Sequence, residues 1–177
     1  MKKLYISPDD LLFKSYQLAQ KVKNSDWKPN FIVALWRGGA PVGIAVQEYL
    51  EYFKILTDHI SIRTSSYVNR EQQTVVNVHS LNYIIEKANI NDCLLIVDDI
   101  YDTGKSAKAV ISELKSKMRL NCPDIRVATV FWKPEHSEAP DYYVEKTDAW
   151  VVFPHELDMT LGEIIFSKGE KYGEIFR

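Results

Sequence analysis

The chain is poor in cysteine and has no hydrophobic run long enough to cross a membrane. Its two cysteines, Cys93 and Cys122, have no metal-ligand spacing and form no disulfide framework. Residues 1–5 lack the apolar core of a signal peptide, and no apolar stretch approaches the roughly 20 residues of a membrane span. These absences favour a protein of the reducing cytoplasm.

An excess of either charge is also missing. The chain has 22 Lys and Arg residues against 24 Asp and Glu residues, a formal net charge of −2. Without a basic field we expect no nucleic-acid partner, and an anionic substrate must be attracted by local groups. The length of 177 residues is enough for one domain, residues 1–177, with a sizeable core, and a hydrophobic content of 46% is ordinary for a globular protein.

Residues 94–106 are the most informative segment. Their sequence is Leu-Leu-Ile-Val-Asp-Asp-Ile-Tyr-Asp-Thr-Gly-Lys-Ser. The four apolar residues predict a strand buried on both faces, whose end brings Asp98 and Asp99 to the edge of a sheet. The loop 102–106 then leads into a helix whose first N–H groups can hold an anion. Acids beside an anion site suit a ligand with a phosphate at one end and hydroxyls or a metal at the other.

The tripeptide 104–106, Gly-Lys-Ser, also matches the end of a nucleoside-triphosphate P-loop, but the rest of that motif is missing. A P-loop has a further glycine five residues before this one. Position 99 is Asp, whose carboxylate would face the phosphates. The sequence therefore disfavours a P-loop ATPase.

Apolar strand candidates alternate with amphipathic helix candidates along the chain. Ser7 is suited to cap a first helix that begins at Pro8, and Ser80 to cap a short helix. The alternation predicts an α/β fold, a parallel sheet with helices on both faces and ligands at the carboxyl ends of its strands. The strand candidates are residues 31–35, 60–63, 75–78, 94–97, 125–132 and 149–153, and further helices are expected at 41–52 and 105–118.

The 94–106 segment resembles the phosphoribosyl-pyrophosphate signature of the type I phosphoribosyltransferases. The shared pattern is an apolar stretch, two acids, two spacers, Asp-Thr-Gly and a hydroxyl residue. The resemblance extends from about residue 27 to Glu156 and is greatest to bacterial xanthine-guanine and hypoxanthine phosphoribosyltransferases. It implies the fold of that family, a parallel sheet flanked by helices, with a small hood built from chain-terminal segments. Residues after Glu156 match less well and receive no role.

The resemblance implies a role for each residue of the signature. Asp98 and Asp99 would bind the ribose hydroxyls and Mg²⁺, the expected cofactor. Asp102 would hydrogen-bond N7 of a purine and act as general base. The 5′-phosphate would be held by Thr103, Gly104, Lys105 and Ser106.

Two other loops match phosphoribosyl-pyrophosphate-binding segments of that family. One is Arg37-Gly38-Gly39, similar to the pyrophosphate loop, in which the peptide before the arginine can be cis. By itself this tripeptide fits a plain strand-to-helix turn equally well. The other contains Ser66, Tyr67 and Arg70 and resembles the mobile loop that closes over the substrates, although alone it also fits a solvated hairpin.

A base-binding region is implied by matches further along the chain. Lys133, before a proline, matches the lysine that donates to the purine O6 in 6-oxopurine enzymes. Trp150 matches an aromatic residue that covers the purine, and Val151 would offer backbone groups to the ring edge. From the residues alone, Lys133 fits a surface lysine, and Trp150 fits a core aromatic.

The resemblance as a whole implies a purine-salvage enzyme. It would move 5-phosphoribosyl from phosphoribosyl pyrophosphate to N9 of hypoxanthine, guanine or xanthine, and the sequence does not choose among the three. A homodimer or homotetramer without a membrane span is expected. The alternatives are a non-catalytic sensor of phosphoribosyl pyrophosphate and an enzyme for another acceptor, such as adenine or a pyrimidine. The four histidines suggest no ligand cluster and are interpreted as structural or exposed: His59, His79, His136 and His155.

Overall fold

Strands and helices alternate along the chain, and the computed structural model describes residues 2–68 and 74–176. Within these residues no helix combines the length and apolarity needed to cross a membrane. In chain order the elements are β1 (Lys3–Tyr5), α1 (Pro8–Asn24), β2 (Phe31–Trp36), α2 (Gly39–Tyr52), β3 (Asp58–Val68), β4 (Thr74–Val78), α3 (Asn82–Lys87), β5 (Cys93–Tyr101), α4 (Lys105–Met118), a 3₁₀ turn (Arg119–Asn121), β6 (Asp124–Trp132), β7 (Tyr142–Lys146), β8 (Trp150–Val152), α5 (Leu161–Lys168) and α6 (Glu170–Ile175).

A six-stranded sheet in the order β4-β3-β2-β5-β6-β7 forms the centre of the fold. The pairs β3–β2, β2–β5, β5–β6 and β6–β7 are parallel, and β4 pairs with β3 antiparallel. The carboxyl ends of β2, β5 and β6 therefore lie along one edge, where ligands of parallel sheets bind. The predicted parallel sheet flanked by helices is confirmed.

Helices cover both faces of the sheet and create two hydrophobic clusters. On one face Leu95 and Val97 of β5 pack with side chains of α1 and α2. On the other face Leu94 and Ile96 pack with side chains of α3 and α4. All four residues are fully buried, which confirms the predicted strand with two buried faces. Each such side chain stabilises the fold by about 1.5–3 kcal/mol relative to an exposed one.

The first helix begins as its sequence predicts. The Ser7 hydroxyl accepts a hydrogen bond from the Asp10 N–H at 3.1 Å, and Pro8 occupies the first helical position. The prediction for Ser80 is wrong, because its φ is +69° and α3 has Leu81 at its N-cap without a side-chain cap. A serine in the left-handed region lacks the extended backbone of an N-cap residue.

A small hood is formed by the two ends of the chain, as predicted. Strands β1 and β8 form a separate parallel sheet, in which Leu4 pairs with Val151. Helices α5 and α6 supply the rest of the hood and give the segment after Glu156 a place in the fold. The Lys3 ammonium forms an ion pair with Glu163 of α5, which connects the C-terminal helices to β1.

Strand β5 is longer than predicted. Its pairing with β2 stops at Val97, but its pairing with β6 continues to Tyr101. Asp98 and Asp99 therefore lie inside β5, where the neighbouring β2 turns away, and not after the end of the strand. The two acids still reach the edge of the sheet, because β2 no longer covers them on that side.

Candidate active site

A cavity of about 940 Å³ lies at the carboxyl edge of the sheet, next to the hood. Four segments predicted to bind ligands contribute side chains to its lining. They are the loop after β2, strand β5 with its following loop, the end of β6, and β8. Five residues predicted to bind ligands lie together in this lining, which supports a common site: Arg37, Asp99, Asp102, Lys133 and Trp150.

The acid pair in β5 is largely withdrawn from water. The Asp99 residue is 8% exposed, and its N–H donates to Asp98 Oδ1 at 3.0 Å. Loss of water contact is the main cause that raises the pKa of Asp99 to about 6, against the opposing effect of its hydrogen bonds. Burial also raises the pKa of Asp98, and the adjacent charge of Asp99 adds to this increase. Burial thus makes the ionised forms of both carboxylates costly, and a cation beside the pair would stabilise them.

The chemistry of these donors fits Mg²⁺. Two adjacent carboxylates provide hard oxygen ligands, and Mg²⁺ commonly binds one or two carboxylates together with substrate phosphates and water. In the described part of the chain no group of three or more His, Cys, Asp or Glu side chains has the arrangement of a metal centre. The residues at Asp98 and Asp99 therefore fit an ion that takes its remaining ligands from substrate and solvent.

Two glycines bring the loop after β2 against the acid pair. A Cβ at Gly38 would overlap the Asp99 carboxylate. A Cβ at Gly39 would lie 2.5 Å from the Val97 carbonyl oxygen. Only residues without a side chain permit this approach. The peptide bond between Trp36 and Arg37 is cis.

The predicted phosphate loop adjoins the cavity at the start of α4. Gly104 has φ +69° and occupies the N-cap position without a side-chain hydrogen bond. A Cβ on Gly104 would overlap the Tyr101 ring. Among the described residues that line the large cavity, Asp102 is present, and residues 103–106 are not. The N–H groups predicted to bind an anion at the start of α4 therefore lie outside the cavity lining, shortly after Asp102 in the sequence.

Lys133 and Trp150 lie close to each other in the cavity lining. Lys133 is 7% exposed, and its Nζ lies 3.6 Å from Asp102 Oδ2 and 5.7 Å from the centre of the Trp150 ring. The interpretation of Lys133 as a surface residue is therefore wrong. Trp150 is 49% exposed and lines the cavity, so it is not a core aromatic either. Val151 is buried and also lines the cavity.

The predicted mobile loop is only partly described. Ser66 and Tyr67 lie in β3, where they pair with Val76 and Val75 of β4. Arg70 lies outside the described residues. Ligand binding by these three residues therefore stays a prediction.

The structure brings two histidines to the site that no motif in the sequence predicts there. His136 Nδ1 forms a hydrogen bond with Asp102 Oδ1. His155 lines the cavity, and its Nε2 lies 3.8 Å from Asp99 Oδ2. Burial lowers the pKa of His155, and the charge of Arg37 contributes to the decrease. In the sequence, only their closeness to predicted site residues could have indicated these histidines. His136 lies three residues after Lys133, and His155 lies five residues after Trp150.

Comparisons of the sequence and of the structure with known proteins agree on one protein family. A family model of the phosphoribosyl transferase domain matches residues 9–160. A xanthine-guanine phosphoribosyltransferase of Cereibacter sphaeroides is 25% identical over 163 residues, 88% of each chain. The solved structure of a purine phosphoribosyltransferase from Pyrococcus horikoshii has a TM-score of 0.71 and 28% identity, covering 90% of this chain and 98% of that one. The xanthine-guanine-hypoxanthine phosphoribosyltransferase of Helicobacter pylori shares the fold, with a TM-score of 0.72, 20% identity and coverage of 98% and 99%.

Proposed function

This chain belongs to the phosphoribosyl transferase domain family, and from that premise we propose that it transfers 5-phosphoribosyl from phosphoribosyl pyrophosphate to N9 of a 6-oxopurine. The products are a purine nucleoside 5′-monophosphate and pyrophosphate. The observation that carries this proposal is that Arg37, Asp99, Asp102, Lys133 and Trp150 line one cavity. Three of them come from phosphoribosyl-pyrophosphate motifs and two from base-binding positions.

The reaction requires charge stabilisation and no covalent nucleophile. Cleavage of the C1′–O bond develops positive charge on the ribose and negative charge on the pyrophosphate. Catalysis then depends on holding both substrates in line and on placing opposite charges beside them in advance. The half-buried Asp98, the buried Asp99 and the Arg37 loop carry charges of the required sign, and Gly38 and Gly39 hold them close together.

The phosphoribosyl end is assigned to β5 and the two loops beside it. Asp98 and Asp99 hold the ribose hydroxyls, and the N–H groups at the start of α4 hold the 5′-phosphate. Arg37 donates to pyrophosphate oxygens. Asp98 and Asp99 would also hold Mg²⁺, directly or through water, and the ion supplies positive charge that stabilises the leaving pyrophosphate.

The base end is assigned to Lys133 and Trp150. The buried Lys133 ammonium is a hydrogen-bond donor only, so it selects an oxygen at purine C6 and disfavours an amino group there. Trp150 presents a half-exposed ring to the same cavity, on which a purine can stack. The nearby backbone of Val151 can bind the edge of the base.

Asp102 stands between the two ends. Its Oδ2 is 3.6 Å from Lys133 Nζ, and its backbone lies directly before the phosphate loop. In this position it accepts the N7 proton of the purine and acts as general base when N9 attacks C1′. The nucleophile is the substrate, so the reaction needs no serine or cysteine as an enzyme nucleophile.

The proposed function is tested by incubating the purified protein with phosphoribosyl pyrophosphate, Mg²⁺ and each of hypoxanthine, guanine, xanthine and adenine. Formation of nucleotide and release of pyrophosphate are measured together. We expect product with at least one 6-oxopurine and little with adenine. Product only with adenine would contradict the role of Lys133. Binding of phosphoribosyl pyrophosphate without product from any base would identify a sensor instead.

A further inference from the structure

A short loop after β6 contacts Asp102 twice. His136 Nδ1 forms a hydrogen bond with Asp102 Oδ1, and the Ser137 hydroxyl donates to the Asp102 carbonyl oxygen at 2.6 Å. Two consecutive residues thus hold the side chain and the backbone of one aspartate. No role for either residue follows from the motifs in the sequence.

The loop contacts Asp102 from outside the cavity lining, and the His136 side chain is 49% exposed. Among the described residues that line the cavity, Asp102 and Lys133 are present, and His136 and Ser137 are not. The two carboxylate oxygens of Asp102 therefore have different surroundings. Oδ1 is bound by His136, and Oδ2 faces Lys133 at 3.6 Å. A ligand in the cavity can use Oδ2 while His136 keeps Oδ1.

The loop is itself fixed to the strands that carry the site. The His136 N–H donates to the Lys133 carbonyl oxygen at 3.2 Å, and Trp132 Nε1 donates to the Ser137 carbonyl oxygen at 3.3 Å. The Lys133 N–H donates to the Tyr101 carbonyl oxygen at 3.0 Å. The first two bonds hold the loop against the end of β6, and the bond from Lys133 to Tyr101 joins that end to the end of β5. A hydrogen bond from His136 therefore fixes Asp102 relative to Lys133.

We propose that His136 is a positioning residue for Asp102, an inference that rests on the proposed function. Its Nδ1–H donates to Oδ1 and sets the carboxylate plane, so that Oδ2 points to the place of purine N7. A carboxylate oxygen only accepts, so this role requires the ring tautomer or the imidazolium form with a proton on Nδ1. An asparagine at position 136 offers an amide N–H at the corresponding place without a titratable group.

The kinetic test compares His136→Ala and His136→Asn with the wild-type enzyme. With hypoxanthine as acceptor we expect kcat of His136→Ala to fall about 10- to 100-fold, the effect of a hydrogen bond to a charged group. His136→Asn should recover most of the loss, and KM for phosphoribosyl pyrophosphate should stay unchanged within error in both variants. His59→Ala is the matched control, since His59 is exposed near the amino end of β3, away from the carboxyl edge that carries the site.

Three kinetic outcomes would overturn the proposal. They are an unchanged kcat in His136→Ala, an equal loss in His136→Ala and His136→Asn, and a parallel rise in KM for phosphoribosyl pyrophosphate. Thermal unfolding of each variant separates a local effect from a loss of folded protein.

A second measurement does not depend on turnover. Nitrogen-15 NMR of the histidine rings reports which nitrogen carries the proton, and His136→Asn identifies the signal of His136. We expect a protonated Nδ1 in the wild-type protein and a shift of the proton toward Nε2 in Asp102→Ala. An unprotonated Nδ1 in the wild-type protein overturns the positioning role. An inactive enzyme with a protonated Nδ1 would instead contradict the proposed function and leave the contact established.

Discussion

The two ends of the cavity are built differently. The proposed phosphoribosyl end consists of the loop after β2 and of β5. Strands β2 and β5 are neighbours in the sheet, and the residues of both strands that precede the site, 31–35 and 94–97, are buried. The proposed base end takes Lys133 from the position directly after β6 and Trp150 from the hood. That hood is connected to its own helices by an exposed ion pair between Lys3 and Glu163.

The two ends therefore position their functional groups in different ways. At the phosphoribosyl end, close packing of Gly38 and Gly39 against β5 leaves no space for adjustment. At the base end, a few side-chain contacts between distant parts of the chain determine the geometry. Substitutions at the first end should therefore affect binding of phosphoribosyl pyrophosphate and the free energy of unfolding together. Substitutions at the second end should affect the base alone.

Asp102 lies where the two ends meet, so its replacement should have the largest effect. In Asp102→Asn the general base is removed and the shape is retained, and we expect kcat to fall by roughly 10²- to 10⁴-fold. The folded structure should be almost unchanged, because this side chain is partly exposed. Steady-state kinetics and thermal unfolding measure the two effects. Asp26→Asn, at an exposed position before β2, is the control, and normal turnover in Asp102→Asn would remove Asp102 from the mechanism.

Replacement of Lys133 tests whether a change at the base end affects the binding of the base alone. Lys133→Ala removes a buried donor, and we expect KM for a 6-oxopurine to rise about 10- to 100-fold. KM for phosphoribosyl pyrophosphate should not change, since the Arg37 loop and the acid pair are retained. Lys117→Ala, which removes an exposed lysine on α4, is the control. An unaltered KM for the base would show that Lys133 does not contact it.

Replacement of Gly39 tests the phosphoribosyl end. Because a Cβ would lie 2.5 Å from the Val97 carbonyl oxygen, Gly39→Ala should displace the loop from β5. Overpacking of this kind destabilises a fold by about 1–3 kcal/mol, and we expect KM for phosphoribosyl pyrophosphate to rise about tenfold. Gly162→Ala in α5 is a matched control, as its Cβ would meet no atom closer than 4.0 Å. A loss confined to the KM of the base would reverse the assignment of the two ends.

The smallest expected effect concerns the hood. In the hood, the hydrogen bond between Glu163 and Lys3 lowers the pKa of Glu163 from 4.5 to about 2, and the hydrogen bonds from Thr160 add to this decrease. An acid with a lowered pKa stabilises the fold above its usual pKa, and this stabilisation disappears as the pH falls from 4.5 toward 2.

The thermal midpoint of the wild-type protein should therefore decrease more steeply over this pH interval than that of Glu163→Gln. Salt should reduce the difference, because the pair is exposed. Glu86→Gln, at an exposed position on α3, is the control. Equal slopes for the wild-type protein and Glu163→Gln would show that this ion pair does not stabilise the hood.

The same contrast explains what could be predicted from the sequence. The strand at 94–97 follows from a contiguous apolar run and helix α4 from apolar residues at helical spacing, and α4 has the predicted bounds, Lys105–Met118. Strand β1, with three residues, is too short to give a periodic pattern, and β7 is only half-buried. The contact of His136 with Asp102 connects residues 34 positions apart. It depends on how the ends of β5 and β6 meet, which local patterns do not encode.

The most direct test of the division between the two ends is a crystal structure with inosine 5′-monophosphate, the expected product from hypoxanthine. The 5′-phosphate should accept hydrogen bonds from the backbone of residues 103–106, and the ribose should lie beside Asp98 and Asp99. The base should stack on Trp150, with its O6 at Lys133 and its N7 at Asp102. A nucleotide bound with its base at the Arg37 loop, or outside this cavity, would contradict the account.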